Sequence, residues 1–173
     1  MDSVIFLLIS LLSSISIIFI AFLFLKKQSQ KEQVFLSLEL KKQRQEFFLP
    51  NRLEAYERAI LLMERLHPNS LVLRLNNPNF SANVMHAEFL KTVREEFDHN
   101  VAQQLFISPF AWKLLRDSKD ELLKLINLAA SQLNENATAL ELSSKIFELV
   151  AQLELLPSEV AIEYLKKEFQ ELF

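Results

Sequence analysis

Val4-Ile-Phe-Leu-Leu-Ile-Ser-Leu-Leu-Ser-Ser-Ile-Ser-Ile-Ile-Phe-Ile-Ala-Phe-Leu-Phe-Leu25 carries no charge over twenty-two residues, and Lys26-Lys27 end the run at once. As a helix rising about 1.5 Å per residue it reaches roughly 33 Å, enough for a hydrocarbon core of about 30 Å. The run reads as an uncleaved transmembrane helix over residues 4–25, with residues 1–3 as a short periplasmic or extracellular terminus. A secretory signal would need a basic start, a shorter apolar stretch and small residues at a cleavage site. Here Met1-Asp2-Ser3 is not basic, and bulky Phe22-Leu23-Phe24-Leu25 fills the place where small residues belong.

Charge sets the expected orientation. Lys26, Lys27 and Lys31 follow the run closely, with Lys41, Lys42 and Arg44 a little further on, while only Asp2 precedes it. The positive-inside bias then predicts a single-pass inner-membrane protein with its amino terminus outside and its carboxyl-terminal domain in the cytoplasm. The lipid bilayer is the partner this implies, through residues 4–25. The chain has no cysteine, which suits a reducing compartment and removes thiolate metal sites and cysteine nucleophiles.

All 19 basic residues and 21 of the 22 acidic ones lie beyond Leu25, so that part carries about −2. No basic stripe is present for a phosphate backbone, and nucleic acid is not an expected partner. The chain also has no glycine. Primed hairpin turns, dinucleotide fingerprints, phosphate loops and glycine-flanked nucleophile elbows all use backbone that glycine supplies. Abundant Leu, Glu, Lys, Gln and Ala with Asn and Pro at the breaks read instead as helices joined by turns.

The expected order follows the punctuation. Residues 26–49 form a juxtamembrane helical stalk, in spite of the weak Val34, Leu36, Leu38, Leu40 alternation. Residues 50–173 form an all-α domain, an antiparallel helical bundle joined by short connections. Pro50 starts a helix to about His67 with Leu53, Tyr56, Ile60 and Met63 on one stripe. Leu71–Leu75 is either strand or helix, and helix is favoured because no second strand could pair with it. Ser81 caps a helix to about Phe106 with Leu90, Val93, Phe97 and Val101 inward. Ser108-Pro109 starts the next, with Trp112, Leu115, Leu122, Ile126, Ala130 and Leu133. Thr138-x-x-Glu141 is a capping box before a helix carrying Leu142, Ile146, Leu149, Leu153 and Leu156. Pro157-Ser158 breaks that helix and caps a last one with Tyr164, Leu165 and Leu172.

Arg52-Leu-Glu-Ala-Tyr-Glu-Arg58, Glu64-Arg-Leu-His-Pro68 and Glu96-Phe-Asp-His-Asn-Val-Ala-Gln-Gln-Leu105, with Ser108 and Trp112, carry a resemblance. Over about residues 50–133 the chain resembles a family of uncharacterised bacterial helical proteins with one amino-terminal membrane helix. The resemblance implies architecture and no activity, cofactor or partner.

The sharpest chemical reading is a carboxylate-bridged metal site, since helix-bundle di-iron proteins use two Glu-x-x-His pairs. Glu64-x-x-His67 and Glu96-x-x-His99 have that spacing. At about 100° per residue Glu64 and His67 fall near the apolar stripe, whereas His99 lies opposite the stripe of Leu90, Phe97 and Val101. The solvated or capping reading of the histidines is therefore preferred, with no cofactor expected. Asp98, His99, Asn100, Gln103 and Gln104 form a polar cluster, read as bonding neighbouring helix ends. Tyr56 and Trp112 read as core aromatics. Arg52, Arg58 and Arg65 alternate with Glu54, Glu57 and Glu64 as a charged face. The function expected is a membrane-tethered, non-enzymatic interaction or scaffolding domain with an unknown protein partner or a second copy. The alternative is a metal-binding bundle.

Overall fold

The computed structural model describes the backbone of residues 2–171 and the side chains of residues 15–171. Among the described residues it is all helical: α1 (Asp2–Leu66), α2 (Pro68–Leu75), α3 (Ala82–His99), α4 (Pro109–Ser131), α5 (Ala139–Val150) and α6 (Pro157–Glu171), with a 3₁₀ turn over Val101–Leu105. The chain divides into two compact units, Met1–Leu49 and Pro50–Phe173.

The expected membrane placement is overturned. Among the described residues no helix is long and apolar enough to cross a membrane. Lys26 and Lys27 close the apolar run, and charged residues recur along the rest of α1. The side chains of residues 4–14, and Met1 of the expected outer terminus, lie outside the described residues. The expected single-pass inner-membrane location with a cytoplasmic carboxyl-terminal domain falls with the span.

In the first unit the Val34–Leu40 alternation lies within helix, as the helical flanks require. Pro50 does not start a helix but lies inside α1. Without an N–H it cannot donate to the Glu46 carbonyl, and α1 runs on through it.

The second unit is built on stripes that meet. Ala55, Tyr56, Ala59, Leu62, Met63 and Leu66 of α1 are buried, with Leu71 and Val72 of α2. Met85, Phe89, Val93 and Phe97 line α3, and Trp112, Leu115, Leu122 and Ile126 line α4. Leu142 and Ile146 of α5 and Leu165 of α6 complete the centre. α4 packs on α3, α5 and α6. Leu53, Val101 and Leu153, assigned inward by their spacing, are exposed, and Leu172 lies outside the described residues.

Caps fix where three helices begin. Ser81 accepts from the Val84 N–H and Ser108 from the Ala111 N–H at 3.0 Å. Thr138 and Glu141 form a complete capping box. Phe80 and Ala137 carbonyls accept from the N–H groups of Ala139 and Ala82, at 3.1 and 2.8 Å. That backbone pairing ties the starts of α3 and α5 together around a Ser81–Thr138 bridge. The helix ends differ from expectation: α3 stops at His99, seven residues before Phe106, and α5 stops at Val150.

Candidate functional site

Two polar centres in the second unit gather residues distant in sequence. In the first, the Glu96 carboxylate of α3 accepts from both Arg65 of α1 and Arg74 of α2. Arg65 Nε donates to Glu96 Oε2 at 2.9 Å and Arg65 Nη2 to Oε1. Arg74 Nη1 donates to the same Oε1 at 3.0 Å. Asn100, at the end of α3, donates its side-chain amide to the Glu96 carbonyl at 2.8 Å. A two-pronged guanidinium–carboxylate pair is among the stronger protein hydrogen-bond arrangements. The Arg65 guanidinium beside Glu96 holds its carboxyl below the usual range, against the opposing effect of partial burial, and the Arg74 charge adds to the depression. Stability from this pairing is therefore present above the ordinary carboxylate pKa and is lost as pH falls through the lower native value.

This centre borders a surface hollow of about 440 Å³ that also includes Glu54, Glu57 and Arg58. Arg58 is itself paired with Glu54 at 2.8 Å. With each of its cations already bound to a carboxylate, the hollow has no spare positive charge for an anion. The arrangement clamps α1, α2 and α3 together.

The candidate metal residues do not converge. Glu96 serves two arginines, Glu64 and His99 are exposed, and among the described residues no three His, Asp or Glu side chains form a metal-holding group. His67 caps α2: its Nδ1 accepts from the Asn69 N–H at 3.3 Å. Its Nε2 lies 3.9 Å from Glu159. Of the polar cluster, Asp98, His99 and Gln104 are exposed and Gln103 is half-buried. Asn100 bonds its own helix rather than a neighbouring helix end. Asp98 and His99 lie on α3, which stops at His99, while Gln103 and Gln104 lie on the 3₁₀ turn that follows.

The second centre escaped sequence reasoning. Glu168 of α6 accepts from the Tyr56 hydroxyl at 2.7 Å and from Ser108 Oγ at 2.8 Å. Ser108 is also the N-cap of α4, so one hydroxyl closes a helix end and holds a carboxylate near it. Burial, then the Glu168 hydrogen bond and charge, push the Tyr56 hydroxyl up to about 12, with Arg52 acting the other way. Phe169 stacks beside Tyr56 at 5.5 Å between centroids. No local pattern marks Glu168, because its partners lie 112 and 60 residues away.

Both centres are satisfied internally, and neither leaves a nucleophile beside a free base in an open cleft. Residues 2–172 match a family of unknown function, DUF7935. The chain belongs to that family. The membership brings no activity with it, and neither the anchoring nor the bacterial source implied by the resemblance comes with it. No curated protein and no solved structure matches the chain.

Proposed function

We propose that this member of the DUF7935 family is a helical interaction module that assembles with a second copy of itself through α1. One observation carries the reading: large apolar side chains stand in solvent along the 34–49 stretch of that helix. Leu36 is 60% exposed, Leu40 46% and Phe47 72%. At about 100° per residue these three share one face. Glu32, Glu39 and Glu46 recur every seven residues along one flank, while Arg44 and Lys41 lie on the other. Apolar positions four and seven apart between oppositely charged flanks suit a helix that pairs with its like. Val34, Phe35, Leu38 and Phe48, also exposed, extend the apolar surface to other sides, and a helix apolar on several sides is stable in water only when covered.

The test is the mass of the full chain by sedimentation equilibrium in one mild non-ionic detergent throughout. The parent should self-associate with concentration. Leu36→Asp/Leu40→Asp/Phe47→Asp should weaken association at least about a hundredfold, since three charges would be desolvated on one face. A parent monomeric at every concentration, or a variant that associates like the parent, would remove the reading.

A further inference from the structure

Charge decides the direction in which two copies of α1 run, granted the self-assembly proposed above, on which this inference rests. Between Leu36, Leu40 and Phe47 the same stripe carries Gln33 and Gln43, both exposed. Positions 33, 36, 40, 43 and 47 alternate steps of three and four, which makes a continuous heptad seam. Glu32, Glu39 and Glu46 each stand one residue before a seam position and form one edge of it. The other edge holds Ser37, Arg44 and Asn51, each at the same seven-residue spacing. One edge is therefore uniformly acidic, and the other carries a single cation between two neutral residues.

A second copy can lie along this seam in two directions. In an antiparallel pair, edges of the same kind face each other. Glu39 would then meet its own counterpart, and each Glu32 would meet Glu46, giving like-charge contacts along the whole acidic edge. In a parallel pair, opposite edges face each other. Each Glu39 then meets Arg44 of the second copy, Glu32 meets Ser37 and Glu46 meets Asn51. Two attractive pairs form and no like charges meet. Glu46 keeps Lys42 of its own helix, 3.9 Å away.

The glutamines fix the register. With the two copies level, Gln33 faces Gln33 and Gln43 faces Gln43, so each amide has an amide to bond across the seam. A slip of one heptad would set Gln33 against Leu40 and Gln43 against Leu36, leaving amides enclosed by apolar side chains at a cost. We infer that residues 33–47 of α1 pair with a second copy in parallel and in register, with Glu39 and Arg44 as the reciprocal ion pair that sets the direction. Parallel pairing lets both chains enter their 50–173 units from the same end of the pair.

The test is a charge cycle on the full chain, read as the dissociation constant by sedimentation equilibrium at low salt in the same detergent. Glu39→Arg and Arg44→Glu should each weaken association about tenfold, since two attractions become two repulsions. Glu39→Arg/Arg44→Glu puts opposite charges back across a parallel seam and should return the constant to within about twofold of the parent. Spin labels on Gln30→Cys should report two residues side by side, whereas antiparallel pairing sets them about 25 Å apart along the axis. A parent that associates while both single variants match it, a double variant as weak as the singles, or widely separated labels would overturn the parallel pair and leave assembly through α1 standing. A parent that stays monomeric would remove both.

Discussion

Trp112→Ala should lower the unfolding free energy of the protein by about 3–5 kcal/mol, the range for truncating a large buried aromatic. Trp112 is 5% exposed on α4 and packs against the Phe97 ring of α3, centroids 5.1 Å apart. Lys119 places its ammonium 4.9 Å from the centroid of the same Phe97 ring. Removing the indole therefore opens a cavity at the α3–α4 contact and loosens a ring that a cation also holds. By contrast His99→Ala, at an exposed site, should change stability by about 0.5 kcal/mol or less. Urea unfolding followed by circular dichroism measures both. Equal effects would mean that Trp112 is not part of the core that joins these helices.

Glu168→Ala should cost about 2–3 kcal/mol, because hydrogen bonds to a charged acceptor are worth more than neutral ones and a buried phenol loses its partner. Tyr56 is 2% exposed, so water does not readily replace the carboxylate. Ser108 keeps its capping bond from Ala111, which limits the damage at the start of α4. The Tyr56–Glu168 pairing also leaves a pH signature. The unfolded chain releases the tyrosine proton near 10.0, whereas the native state holds it to about 12. Between those values the native state binds more protons than the unfolded one, so stability declines as pH rises. That decline should be present in the parent and absent in Tyr56→Phe. Urea titrations at pH 8 and at about pH 11 read the difference. Identical pH dependence in the two proteins would show that Tyr56 ionises as freely in the fold as outside it.

The helix starts are the most legible part of this sequence. Ser81, Ser108-Pro109 and Thr138-x-x-Glu141 each act through atoms within three or four residues, and each caps the helix expected of it. Helix ends are less legible. Nothing local forbids α3 from running to Phe106, yet it ends at Asn100 as a 3₁₀ turn takes over. Pro50 shows the reverse, a residue whose local chemistry argues for a boundary but which α1 passes through. The apolar run before Lys26 misleads at a larger scale, because composition alone does not establish a span.

Among the polar residues, the sequence picks out Glu96 for the wrong reason. Its spacing from His99 suggests a metal pair, while its real partners are Arg65 and Arg74, 31 and 22 residues earlier. The Tyr56–Ser108–Glu168 centre is invisible beforehand because each member looks like an ordinary core, cap or surface residue.

Single-cysteine scanning tests the central claim most directly, since the chain has no cysteine of its own and each introduced thiol reports one position. Leu36→Cys, Leu40→Cys and Phe47→Cys should each form a disulfide-linked dimer rapidly under mild oxidation, while Glu32→Cys, Glu39→Cys and Glu46→Cys on the flank should link slowly. Thiols on facing residues meet at disulfide distance only when their Cα atoms approach within about 7 Å. Linking at equal rates around the helix, or at none of the six positions, would contradict assembly through this face of α1.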